Sequence, residues 1–205
     1  VLVLTPWALA AAVANVAFPL AAAFGLGRAL WAGRNRRNYF FAAVLVGMGA
    51  AQGLLHAALA GWVDVAPGRA LQLGLDAVIF VMAVMGGRVI PMFSNNGAPG
   101  TGAQRHLGIE RLSLGSVLTL IGLDAIGQNG PLVIAVLLTA AAAHAIRLTL
   151  WRPWRTRRVA LVWVLHAAYL WIPLHFLLRA GAEAAWVAPT IATHALTTGA
   201  IGMLT

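Results

Sequence analysis

The chain contains no cysteine and no lysine, and only five acidic residues among 205. Without cysteine there can be no disulfide, thiolate ligand, iron–sulfur cluster or C-x-x-C-H haem attachment, so any haem would be a non-covalent b-type group held by coordination and packing. Without lysine a seven-helix retinal protein is excluded, because its Schiff base has no amine to form on. Charge is scarce altogether: 9% of residues are charged and 61% are hydrophobic, where a soluble domain carries about 25% charge. This is the composition of a membrane protein.

Apolar runs long enough to cross ~30 Å of hydrocarbon at ~20 residues each lie near 4–30, 39–63, 69–92, 111–127, 131–150, 159–179 and 185–205. They predict an all-α, polytopic transmembrane bundle with seven helices in a single domain over residues 1–205. The fourth run is the shortest and contains Asp124. Val1 opens the chain without an initiator methionine or basic n-region, and the last run stops at Thr205 without a polar flank. Both ends therefore read as cut, and a longer parent protein is expected.

The arginines sit in the connections. Arg28, Arg34, Arg36 and Arg37 flank the first, Arg88, Arg105 and Arg111 the third, and Arg147, Arg152, Arg155, Arg157 and Arg158 the fifth. The even-numbered connections hold only Arg69, near Asp64, and Arg179, near Glu183. Such alternation reads as a positive-inside signal, with connections one, three and five in the cytoplasm, and not as a nucleic-acid surface. Trp7, Trp31, Trp62, Trp151, Trp154 and Trp186 fall near helix ends, as an interfacial belt requires. Residues 94–108, SNNGAPGTGAQRHLG, read as the one sizeable irregular loop.

Ionisable groups at membrane depth are functional candidates because each must be paired, hydrated or bound to something. At a rise of ~1.5 Å per residue, His56, Asp76, His175 and His194 fall in the outer half, while His144 and His166 share a layer near the cytoplasmic turn WRPWRTRR. Imidazole is the commonest transition-metal ligand, and two imidazoles at one depth on different helices suit a bis-histidine haem. His56, His144, His166, His175 and His194 are therefore metal-ligand candidates. Each also has a packing role open to it: His144 lies among small residues in TAAAAHAIRL, His175 follows Pro173, and His56 continues a polar stripe with Gln52. His106 belongs to the polar loop.

MGGRVIPMF, residues 85–93, places Arg88 beside Gly86, Gly87 and Pro91. The glycines allow close backbone approach and the proline frees a carbonyl. Arg88 would snorkel to lipid phosphate, cap a neighbouring helix, or pair with an anion through its bidentate fork.

Together with WRPWRTRRVALVWVLHAAYLWIPL (residues 151–174), HALTTGAIG (194–202) and RNYFF (37–41), that segment resembles the NnrS family of membrane proteins. The resemblance implies a longer parent of roughly twelve helices, each of ~20 residues as a bilayer requires, of which this chain is a central to C-terminal part. It further implies haem and copper as cofactors, a role in bacterial nitric oxide response or denitrification, and the inner membrane as location. Its motif positions here are Gly86, Gly87, Arg88, Pro91, His166, Tyr169, His194, Thr197 and Gly199. With His56 added from depth, His56, His166, His194, Arg88 and Tyr169 form the expected cofactor-binding set. Arg88 would then meet haem propionates. The ending GAIGMLT departs from the usual GAIGGMT of the family. The partners implied are membrane lipids and nitric oxide or a related small molecule, and whether the chain catalyses, senses or delivers metal is left open. A transporter using intramembrane His, Asp and Arg without haem, or an assembly subunit without a cofactor, are the competing readings.

Overall fold

A computed structural model describes residues 7–204. The described residues form helices and turns and no strand. The helices are α1 (Ala8–Ala32), α2 (Tyr39–Leu59), α3 (Pro67–Gly97), α4 (Leu107–Ala125), α5 (Pro131–Leu150), α6 (Ala160–Glu183) and α7 (Pro189–His194). The last continues as a π-helix, Ala195–Ile201, and a final α turn, Gly202–Leu204. Helical segments thus occupy all seven predicted places. Among the described residues five spans are long and apolar enough to cross a bilayer: Ala8–Ala32, Arg36–Leu59, Pro67–Gly97, Pro131–Arg155 and Ala160–Glu183. α4 is outside that set because Glu110, Arg111 and Asp124 dilute its apolar content, and the C-terminal segment because its helix type changes after six residues.

One boundary differs instructively from expectation. α3 passes through Pro91 and continues to Gly97, so residues 94–97 are helical and not loop. Ser94 Oγ donates to the Ile90 carbonyl at 2.7 Å, and Asn95 exchanges two hydrogen bonds with Ala103, at 2.7 and 3.1 Å. These bonds hold the helix end and the remaining loop together.

The chain divides into two compact units, with the boundary inside α3 between Val81 and Met82. In the first, α1 and α2 form an antiparallel pair joined by a 3₁₀ turn, Arg36–Asn38. Small buried residues set their approach: Ala11 and Ala23 on α1, Gly49 and Ala51 on α2. A Cβ on Gly49 would sit 3.1 Å from Leu20. Many of the pair's large apolar side chains, among them Leu9, Phe18, Phe24 and Val46, are exposed, as lipid-facing residues are. Asn15 and His56 join the two helices at 3.1 Å, and Gln72 donates to Asp76 one turn on at 2.8 Å.

In the second unit α5 packs against both α4 and α6, and α6 against α7 and the π-helix. Leu120, Leu137, Ala140, Ile172, Phe176 and Leu196 are fully buried between them. The buried set also includes Glu110, Ser113, His144, Arg147, His166 and Tyr169, an unusual polar load for a core and the reason to look there for function.

Candidate functional site

Arg147 lies in the last turn of α5, three residues after His144. Its Nε donates to Glu110 Oε1 at 2.9 Å and its Nη2 to Glu110 Oε2 at 2.5 Å, a two-pronged contact between α5 and α4. The Nη1 group donates to the Ala83 carbonyl of α3 at 2.8 Å and to the Tyr169 hydroxyl of α6 at 2.9 Å. A single guanidinium, on a residue 1% exposed, thereby ties four helices. Such saturation is what makes a buried charge tolerable, because each unpaired polar group in an apolar interior costs several kcal/mol. The indole of Trp151 lies 5.3 Å from the guanidinium carbon. Trp151 is 0% exposed, so it leaves the predicted interfacial belt and belongs to this core. Trp7, Trp31, Trp62, Trp154 and Trp186 are exposed, as belt residues are.

From Tyr169 the network continues in one direction. His144 Nε2 faces the Ser113 carbonyl at 3.2 Å, which can only accept, so Nε2 carries the proton. Nδ1 is then the acceptor for the Tyr169 hydroxyl at 2.6 Å. Tyr169 oxygen in turn accepts from Arg147. Every donor in the sequence Arg147, Tyr169, His144, Ser113 carbonyl has an acceptor, and both ring nitrogens of His144 are engaged.

The glycines of MGGRVIPMF make the space. A Cβ on Gly86 would lie 2.9 Å from the Tyr169 ring, and one on Gly87 would overlap the Arg147 guanidinium. The arginine that fills this niche is therefore Arg147 and not the adjacent Arg88, which is half-buried on α3. In HALTTGAIG the same logic holds: a Cβ on Gly199 would overlap the indole of Trp171. Ala195–Ile201 is π-helical, a geometry that recurs at functional sites.

The remaining histidines share a disposition that His144 lacks. His166 Nδ1 donates to the Val162 carbonyl at 3.0 Å, leaving Nε2 unprotonated 3.2 Å from Ser94 Oγ. Ser94 has one proton and a nearer acceptor in Ile90, and the imidazole also lies against the Trp151 backbone, so the ring of His166 is more enclosed than that of His175. His175 Nδ1 donates to the Ala192 carbonyl at 2.8 Å, and its Nε2, though buried, has no hydrogen-bond partner among the described residues. His194 Nδ1 donates to the Thr190 carbonyl at 2.8 Å, with the side chain exposed. His166 and His175 meet different elements, α3 and α7, as their nine-residue spacing on α6 requires. His56, in the first unit, contacts Asn15 through Nε2. His106 is exposed at the start of α4.

An Nδ1–H donated to a carbonyl fixes the tautomer with Nε2 bare, which is how ligating histidines are commonly oriented. His166, His175 and His194 could therefore each offer Nε2 to a haem iron, and His144 could not, because a metal would have to displace the Tyr169 hydroxyl or the Ser113 carbonyl. Tyr169 and Glu110 are likewise occupied. Among the described residues no three His, Asp or Glu side chains converge as a metal cage.

A second ion pair lies nearer the other end of α4. Arg179 of α6 donates to both carboxylate oxygens of Asp124 at 2.6 Å, while Glu183 accepts from the Gly130 backbone N–H at 2.6 Å. Proximity in sequence pointed Arg179 toward Glu183; its partner is instead Asp124, across α4 and α6.

Sequence reasoning counted Arg147 only as a topology signal and did not single out Glu110. The available hint was position. Glu110 and Asp124 are the two acids of α4, fourteen residues apart and so ~21 Å along the axis, and an acid at each end of a membrane-associated helix calls for a cation from a neighbour.

The family model described as NnrS protein matches residues 1–205, the whole chain. No curated protein and no solved structure matches.

Proposed function

The chain belongs to the NnrS family of membrane proteins linked to nitric oxide, and on that premise we propose that it binds haem and copper in the bacterial inner membrane and acts in nitric oxide response or denitrification. The observation that carries the haem reading is His175: a buried imidazole whose Nδ1–H is fixed by Ala192 and whose Nε2 has no partner among the described residues. His166 and His194 offer the same donor. These histidines would hold the haem through Nε2, and the group, when bound, would supply iron chemistry toward a small ligand such as nitric oxide. The chain's own contribution is to set the tautomers of these histidines and to surround them with rigid helices. The copper reading rests on the family resemblance, with His56 as its separate candidate in the first unit.

The network of Arg147, Glu110, Tyr169 and His144 supports this reading as scaffold. Its hydrogen bonds are mutually saturated, which suits a rigid wall better than a transport path, where groups must exchange partners.

The test is to substitute His56, His166, His175 and His194 singly by alanine in the full-length protein and to measure haem by its Soret band and copper by elemental analysis. Loss of haem in the His175 or His166 variant is expected. Full haem and copper in all four variants, each still folded in the membrane, would overturn the assignment, and a wild type without a Soret band would favour a transporter.

A further inference from the structure

α1 ends in a hydrogen-bonded reversal in which Arg34 N–H reaches the Trp31 carbonyl at 3.0 Å and Asn35 N–H the Leu30 carbonyl at 2.9 Å. This pair of bonds requires a left-handed residue between them, a place that glycine usually takes. Here it is Arg34, at φ 50°, although Gly33 stands immediately before it. Ala185 takes the same left-handed place at the end of α6, at φ 58°, so the turn by itself sets no use for the side chain of Arg34.

That side chain lines a cavity of about 570 Å³ together with Trp31, Ala32, Arg36 and Tyr39. The described ion pairs involve neither Arg34 nor Arg36, and the same holds for Arg28 and Arg37 nearby. The comparable turn of the second unit behaves differently. There Arg152 is also left-handed, at φ 55°, but Arg152 and Arg155 donate to the carbonyls of Gly100 and Thr101 at 3.1–3.4 Å. Those cations serve a loop of their own chain; Arg34 and Arg36 line an open concavity instead. Exposed Trp31 and Tyr39, with the lipid-facing Phe24 above, put that concavity at the depth where an aromatic belt meets headgroups.

We propose that the α1–α2 turn is a binding site for the phosphate of an anionic phospholipid, clasped by the Arg34 and Arg36 guanidinia and flanked by Trp31 and Tyr39. Guanidinium forks match phosphate oxygens, and basic pockets at helix ends on the cytoplasmic side recognise anionic headgroups.

The experiment uses the full-length protein purified in detergent, offered phosphatidylglycerol or phosphatidylcholine, with retained lipid counted by native mass spectrometry. The variant is R34G/R36Q, in which glycine keeps the left-handed turn and so preserves folding. Wild type should retain phosphatidylglycerol over phosphatidylcholine, and the variant should lose that preference roughly tenfold to thirtyfold with an unchanged or higher melting temperature. R157Q/R158Q should retain it. Equal retention by wild type and R34G/R36Q overturns the proposal. Displacement of the lipid by millimolar inorganic phosphate also overturns it, assigning the cradle to a soluble phosphate.

Discussion

Arg147 and Glu110, thirty-seven positions apart, meet through two parallel N–H···O contacts inside the second unit, both residues buried. Removing Arg147 leaves Glu110 buried with only the part-exposed Arg105 at 3.3 Å as counter-charge, a loss toward the lower end of the ~3–5 kcal/mol of a broken buried pair, whereas replacing both by apolar groups is often neutral. Arg147→Met should therefore sharply lower the melting temperature of the purified protein, and adding Glu110→Leu should recover much of the loss. A double variant no better than the single one would mean that Arg147 acts mainly through Ala83 and Tyr169.

Gly87 is constrained by the same guanidinium. Gly87→Ala should destabilise by about 1–3 kcal/mol, the usual range for overpacking. The effect should shrink in an Arg147→Met background, because the overlapping atoms are gone. Thermal unfolding of the two singles and the double forms a cycle whose coupling reports the contact directly. Additive losses would show that Gly87 matters for some other neighbour.

Tyr169 accepts from Arg147 and donates to His144. Tyr169→Phe strands a donor on one side and an acceptor on the other, at a cost of about 1–3 kcal/mol for each buried group left unsatisfied. His144→Ala should cost stability in the same way while leaving haem content intact, in contrast to His175→Ala. Haem loss in His144→Ala at unchanged melting temperature would mean that His144 is a ligand after all.

The helices were legible because spanning a bilayer demands long apolar runs, and hydropathy measures those directly. The proximity demanded by Gly86 and Gly87 was legible too, since paired glycines in a helix signal close approach. Which side chain approaches was not. Arg88 is adjacent in sequence, yet the niche is filled from α5 by Arg147, and only the rotation of α5 about its axis decides that. Trp151 was misplaced for the same reason: depth put it at a helix end, where an interfacial tryptophan and a buried one look alike. The roles of the histidines turned on hydrogen-bond partners. His144 and His166 share a depth, but one is enclosed by Tyr169 and Ser113 and the other faces a serine already committed to Ile90.

The two carboxylates of α4 have a consequence for how the protein is made. Asp124 leaves the ribosome before Arg179, and Glu110, which has Arg105 beside it from the start, before its buried partner Arg147. Until α5 and α6 are synthesised, Glu110 has only the part-exposed Arg105 and Asp124 awaits Arg179, and the apolar content of α4 falls short of a free-standing span. Its insertion should therefore depend on helices made after it, with α4 settling among its neighbours once Arg179 near the end of α6 has been made. Truncation after α5 would leave Asp124 without its arginine, and such a nascent chain should be held by quality control where the longer one passes.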